Sequence, residues 1–177
     1  MCLKGQERGY ALLYEKYAVS VFNTICRLVN YEMVEAEDLL QEAFVTVFSD
    51  MERVREVENF GAWTRRVAIN QSISHLRKRR VYFEEITNRV EAQAAEDDES
   101  EEQWKEDRLQ DLSKAIKELP EVGRTIVNLF VFEEMPQEEI ARMLGMSHVA
   151  VRSQYHRAKT KLAAQLKNEL LKDERRG

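Results

Sequence analysis

One stretch of this sequence, from Gln137 to Leu162, has the pattern of two helices joined by a glycine turn. Gly145 stands where a chain leaving a helix often needs a positive φ, which glycine adopts without steric cost. Ser147 follows at a position where its side-chain oxygen can cap the next helix. The apolar residues of that second helix recur at spacings of four, three and four and so share one buried side: Val151, Tyr155, Ala158 and Leu162. The pattern predicts a helix-turn-helix, the geometry that places a helix in the major groove of DNA.

The exposed side of this second helix carries base and no acid. Between Ile140 and Asn168 the sequence has six lysine and arginine residues and no aspartate or glutamate. A merely solvated helix usually mixes signs to gain ion pairs along its surface. A face of one sign therefore favours a polyanion as partner. The alternative is a plain helical hairpin with a solvated charged face.

The composition favours an all-helical protein. The chain of 177 residues has only 6 glycines and 2 prolines, and its apolar residues follow helical rather than alternating spacing. No apolar run approaches the ~18 residues that span a bilayer, and the first residues lack the apolar core of a signal peptide. Cys2 and Cys26 form neither a metal-ligand spacing nor a disulfide framework, and Cys26 is expected to be a buried apolar filler. We expect a cytoplasmic protein without direct membrane insertion.

The charge is distributed unevenly along the chain. Residues 81–111 carry a net charge of −9, whereas residues 1–80 carry +1 and residues 112–177 carry +3. Like charges repel, and the few apolar residues of the acidic segment cannot offset the entropy of ordering it. The sequence thus predicts two small helical domains, 1–80 and 108–177, joined by a flexible acidic linker, 81–107. The alternative for the linker is an exposed acidic helix.

Apolar periodicity predicts three or four helices in the first domain. Three lie at about 6–29, 32–49 and 60–79, and the segment 50–59 is a polar loop or a loop with a short helix. Two more helices are predicted before the helix-turn-helix, at about 109–119 and 122–132. The third helix repeats the charge signal, because no acid occurs between Glu58 and Glu84 while six lysine and arginine residues do. Phe60 and Trp63 lie at its start. Basic residues with nearby aromatic rings are typical of single-stranded nucleic-acid binding, where rings stack on exposed bases. The alternative is that these two rings belong to the core.

The sequence resembles a bacterial RNA polymerase sigma factor of the sigma-70 family in three segments: AEDLLQEAFVTVF (Ala36 to Phe48), NFGAWTRRVAINQSISHLRKRR (Asn59 to Arg80) and Leu119 to Leu162. More closely, it is similar to the extracytoplasmic-function (ECF) subfamily, which keeps only the second and fourth sigma domains. The resemblance covers nearly the whole chain outside the acidic segment. It implies that domain 1–80 is sigma region 2 and that domain 108–177 is sigma region 4.

This resemblance implies a promoter-specificity subunit that directs transcription initiation and has core RNA polymerase, promoter DNA and an anti-sigma factor as partners. The polymerase contacts would be the β′ clamp helices and the β flap. The residues implied in polymerase binding are Asp38, Leu39, Gln41, Glu42 and Val45. Those implied in reading and melting the −10 element are Phe60, Trp63, Arg66, Asn70, Arg77 and Lys78.

The resemblance also implies that the second helix of the helix-turn-helix reads the −35 element. The residues implied are Ser147, His148, Val149, Ala150, Arg152, Ser153, Gln154, His156 and Arg157. Arginine has the fork of donors that suits phosphates and guanine edges, so Arg152 and Arg157 are expected to contact one or the other, and Gln154 suits adenine.

Neither a catalytic residue nor a metal or cofactor site is predicted, and the protein is expected not to be an enzyme. The sequence has no phosphate-cradling glycine loop and no metal-ligand cluster, and His75, His148 and His156 each stand alone along the chain. The remaining alternative is a helix-turn-helix transcriptional regulator that binds duplex DNA without being a polymerase subunit.

Overall fold

The computed structural model describes residues 7–50, 56–78 and 106–173, and the chain divides into two compact units, Met1–Arg80 and Val81–Gly177. Within the described ranges every regular element is a helix. The all-α fold with two small helical domains is therefore confirmed. The exact domain limits stay a prediction, and most of the predicted linker, 81–107, lies outside the described residues. Among the described helices, none has the length and apolar character needed to cross a bilayer.

The first unit is built from helices that pack on one another around a common core. Its described helices are α1 (Glu7–Leu28), α2 (Met33–Ser49) and α3 (Phe60–Lys78), which match the helices expected from apolar spacing. The core includes Val21, Ile25, Leu40, Phe44 and Ala68. Cys26 is buried in it, as its apolar position predicted, and burial raises the pKa of its thiol.

Aromatic rings fasten the start of α3 to the other two helices. The ring centroid of Phe60 lies 5.3 Å from that of Tyr17 on α1 and 6.5 Å from that of Phe48 on α2. Trp63 meets Phe60 edge-on at 6.0 Å. Such ring pairs add stabilisation beyond the area they bury. Phe60 therefore packs within the unit, which is the alternative that the sequence left open.

In the second unit the structure describes four α-helices, α4 (Glu106–Lys117), α5 (Glu121–Val127), α6 (Gln137–Leu144) and α7 (His148–Asp173). A π-helical segment, Asn128–Phe132, follows α5 directly. The expectation of one regular helix over 122–132 is therefore wrong for its second half. Apolar spacing over five residues cannot distinguish the α-helical period from the wider π turn. Helices α4, α5 and α6 each pack against α7.

The predicted glycine turn and serine cap are both present between α6 and α7. Gly145 has φ 66° and ψ 30°, and the amides of Gly145 and Met146 donate to the carbonyls of Arg142 and Ala141, which is a Schellman motif. The amide of Ala150 donates to Ser147 Oγ at 3.1 Å, so Ser147 caps α7. These bonds fix the angle at which the chain enters α7.

A buried arginine joins α4 to α5. Arg124 Nη1 donates to the backbone carbonyls of Lys117 and Leu119, both at 3.1 Å. A helix leaves its last carbonyls without partners inside the helix, and a cation at that end is favourable. Arg124 Nη2 also lies 3.9 Å from Glu121 Oε2. Burial lowers the pKa of Arg124, and Glu121 opposes that shift.

Replacing Gly145 with alanine should destabilise the second unit by about 1 kcal/mol, because an L-residue with a Cβ is strained at positive φ. Gly145→Asn should lose less, since asparagine tolerates this conformation better. Hydrogen exchange of the α7 amides in the full chain measures the difference. Equal protection in the wild type and in Gly145→Ala would contradict the argument.

Replacing Arg124 with methionine should lower the free energy of unfolding of the second unit by about 2 kcal/mol, because one buried and one partly buried carbonyl lose a charged donor. Glu121→Gln is the matched control and should cost less than about 0.5 kcal/mol, since its contact with Arg124 is long and partly solvated. Urea denaturation followed by hydrogen exchange of the α4 and α5 amides compares them. Similar losses in both variants would show that the carbonyl bonds contribute little.

Candidate nucleic-acid interface

The side of α7 that points away from the core carries an uncharged stripe with an arginine on either flank. Val151 and Ala158 are buried, so residues about half a turn from them face outward. The centre of the outward side holds Val149, Ser153 and His156, at spacings of four and three. Arg152 and Arg157 are exposed and lie on opposite flanks of this stripe. We call the three residues of this stripe and its two flanking arginines the reading face.

The remaining residues predicted to contact the −35 element lie around the start and edge of α7. Ser147 is exposed, but its hydroxyl oxygen accepts the Ala150 amide proton as a cap. His148 Nε2 lies 3.5 Å from Glu138 Oε1 on α6. Ala150 and Gln154 are half-buried, as Ser153 and His156 are, but they lie on the side of α7 nearer to the core. The predicted set is thus brought together on one helix, although only part of it faces directly outward.

Helix α3 of the first unit presents a second basic face. Trp63, Arg66, Asn70 and Arg77 recur at helical spacing on the side opposite the buried residues Ala68 and Ser72. Asn70, Arg77 and Lys78 are exposed, whereas Trp63 and Arg66 are half-buried. Phe60 and Lys78 lie to one side of this face. The structure therefore groups most residues predicted for the −10 element on one side of one helix.

Helix α2 presents a third outward face, made of Asp38, Gln41 and Val45. Leu39, which the resemblance also implied in polymerase binding, does not lie on this face, because it is only 3% exposed and packs in the core. The same helix exposes Val34, at 74%, on the side of Asp38 and Val45, which sequence reasoning missed. Its 4, 3 and 4 spacing to Asp38, Gln41 and Val45 was the available signal.

A polar connection between α2 and α3 was also missed. Gln71 Nε2 donates to Thr46 Oγ1 at 2.8 Å and to the Glu42 carbonyl at 3.4 Å. Further along the two helices, His75 Nε2 lies 3.3 Å from Glu35 Oε2. No sequence signal distinguishes such side chains from solvated ones, since glutamine and histidine are ordinary surface residues.

A groove of about 250 Å³ runs between α2 and α3 beside these contacts. Its lining includes Glu42 from α2 and Asn70, Ser74 and Lys78 from α3. The groove therefore borders both the outward side of α2 and the basic face of α3. Two of the three histidines have glutamate neighbours, contrary to the expectation that each is isolated, but within the described residues no three His, Cys, Asp or Glu side chains could hold a metal ion.

A helical protein with a helix-turn-helix in one unit and a basic, aromatic helix face in the other belongs to the class of helix-turn-helix DNA-binding proteins. Comparison with known families narrows that class. Residues 13–81 match the family model described as Sigma-70 region 2, and residues 109–162 match Sigma-70, region 4.

Known relatives agree with both matches. The chain is 31% identical over 165 residues to the RNA polymerase sigma-H factor of Pseudomonas aeruginosa, covering 88% of this chain and 85% of that protein. It is 32% identical over 152 residues to the ECF RNA polymerase sigma factor SigE of Mycolicibacterium smegmatis, covering 85% of this chain and 58% of that protein.

The fold also agrees with a solved structure, that of the sigma factor RpoE in complex with the anti-sigma factor NepR from Bartonella quintana. The TM-score is 0.55 at 20% identity, over 90% of this chain and 98% of that one. The chain therefore belongs to the sigma-70 family of RNA polymerase sigma factors, within the ECF subfamily.

Replacing Arg152 with alanine should weaken binding to mixed-sequence duplex DNA and reduce the slope of log affinity against log salt by about 1, because one phosphate contact is lost. Lys167→Ala, which removes an exposed cation farther along α7, should leave the slope unchanged. Fluorescence anisotropy at a series of potassium chloride concentrations gives both slopes. Identical slopes for Arg152→Ala and the wild type would remove Arg152 from the DNA contact.

Proposed function

We propose that this chain is a promoter-specificity subunit of bacterial RNA polymerase. It binds core polymerase, delivers it to a promoter with −35 and −10 elements, and traps the opened −10 strand. The observation that carries this proposal is the order of the two family matches, region 2 and then region 4, on a chain whose two units each expose a basic helix face. One DNA-binding unit would suffice for an ordinary regulator.

The reading face of α7 is proposed to enter the major groove at the −35 element. Its flanking arginines suit the two phosphate backbones, and its uncharged stripe suits base edges, because phosphate contacts position a protein and base contacts give it specificity. The serine cap and the Schellman turn hold the first turn of α7 in a defined place. A fixed first turn favours recognition, since the N-terminal residues of such helices contact the bases.

The basic face of α3 is proposed to hold the −10 element while the duplex opens. Arg66, Arg77 and Lys78 supply charge along the backbone, and Trp63 supplies a ring edge near exposed bases. Unstacking a base costs a few kcal/mol, and stacking on an aromatic ring returns about 1–3 kcal/mol per base. The opened state can therefore be held by binding energy alone. No catalytic group, metal or cofactor is needed, and we propose that the protein is not an enzyme and acts in the cytoplasm.

The outward side of α2 is proposed to bind the β′ clamp helices of core polymerase. It mixes exposed valines with an acid and an amide, and protein interfaces likewise combine apolar and polar groups. Region 4 would bind the β flap. An anti-sigma factor is proposed as a further partner, since the RpoE relative was solved with one.

The alternative, a helix-turn-helix regulator that never joins polymerase, is not favoured by the matches to sigma regions 2 and 4, and it leaves the outward side of α2 unexplained. Core polymerase supplied with this chain should produce run-off transcripts from fragments of its own genome, whereas core polymerase alone should not. Sequencing the fragments that are transcribed identifies the promoter. Duplex binding without any dependent transcription would favour the regulator.

Val45→Asp should weaken binding to core polymerase by about tenfold or more, because it replaces an exposed apolar side chain of the proposed contact with a charge. Val19→Asp is the matched control, since Val19 is 70% exposed on α1 and Val45 is 68% exposed on α2. The control should bind core polymerase within about twofold of the wild type. Surface-plasmon titration of immobilised core polymerase measures both. Equal affinities for the two variants would place the polymerase contact elsewhere.

A further inference from the structure

Val149 is a large aliphatic residue exposed in the middle of an otherwise polar surface. Its side chain is 59% exposed on the first turn of α7, whereas Val151, two residues later, is fully buried. Val149 therefore contributes little to the core of the free protein. A β-branched residue also has lower helix propensity than alanine, so helix formation does not account for valine at this position.

The surroundings of Val149 narrow what it can contact. It lies in the uncharged stripe with Ser153 and His156, between the flanking Arg152 and Arg157. Its backbone is held in place, because the Ser147 hydroxyl accepts the Ala150 amide proton and the Ser147 carbonyl accepts the Val151 amide proton, both at 3.1 Å. A residue with a fixed backbone at the start of a recognition helix can reach a base edge but not a phosphate between the flanks.

The major groove offers one apolar group to such a side chain. Guanine, cytosine and adenine present only donors and acceptors there, and thymine alone adds the C5 methyl group. We propose that Val149 is a specificity-determining residue that packs against the 5-methyl group of a thymine in the −35 element. This inference rests on the proposed function, because it assumes that α7 reads a −35 element.

The test removes the thymine 5-methyl group and the methyl groups of the Val149 side chain, first separately and then together. The −35 sequence is first selected from a random duplex library by polymerase carrying this full chain. Each thymine of the selected element, on either strand, is then replaced singly by deoxyuridine, which differs only in lacking the methyl group. The affinity of polymerase for each duplex is then measured with the wild-type chain and with Val149→Ala. Val131→Ala is the control, since Val131 is an exposed valine outside the reading face.

One deoxyuridine replacement should weaken wild-type binding about three- to fivefold, the equivalent of one buried methyl group at about 0.8 kcal/mol. In Val149→Ala that same replacement should change binding by less than about 1.5-fold, and Val131→Ala should behave like the wild type. Because Val149 is exposed and alanine favours helix, the variant is expected to fold normally.

The inference is overturned if the selected −35 element contains no thymine, if no replacement weakens wild-type binding, or if the loss is the same in Val149→Ala. In each case the selected element itself would still support the proposed function. Failure to select any −35 sequence would instead refute the proposed function, and the methyl contact with it.

Discussion

The first unit depends on the close packing of α3 against its neighbours, which small residues on the buried side of α3 permit. The buried side of α3 includes Gly61, Thr64, Ala68 and Ser72, so α3 can lie close to its neighbours. A Cβ at position 61 would come within 2.6 Å of the Tyr17 ring, which leaves room for nothing larger than glycine unless the ring moves. The hydroxyls of Thr64 and Ser72 donate to carbonyls of their own helix at 2.8 Å, so they are buried without an unmet hydrogen bond. Small residues thus alternate with Ile69, Ile73 and Leu76 on the buried side of α3, and its basic side chains lie elsewhere on the helix.

The sequence alone predicted those structural features that depend on interactions between residues close together in the chain. The helices of both units follow apolar spacing, and the turn before α7 follows from the conformations open to Gly145 and the capping oxygen of Ser147. Basic residues clustered without acids likewise predicted which sides of α3 and α7 stay exposed. These features depend on residues close in the chain, and short-range chemistry decides them.

The sequence did not predict side-chain burial or contacts that depend on how a neighbouring helix packs. Leu39 follows an acidic residue, and its burial depends on how the neighbouring helices α1 and α3 pack on α2. The contact of Gln71 with Thr46 depends on the distance between two helices, which spacing along either one does not encode. The π-helical turn at Asn128–Phe132 was not predicted either, since five residues are too few to reveal a change of helical period.

In the proposed complex with DNA, the reading face of α7 would separate affinity from specificity by position. Phosphates on both sides of a groove would attract its flanking arginines whatever the sequence, so these residues would give strength and sensitivity to salt. The central stripe contains no lysine or arginine, so Val149, Ser153 and His156 would add little to non-specific binding. They differ in the groups that they offer to base edges, which are methyl groups, a hydroxyl and an imidazole ring. A cation at the centre would raise affinity for every sequence equally and would weaken discrimination. An uncharged stripe between two basic flanks therefore suits a subunit that must leave most of the genome and remain at a few promoters.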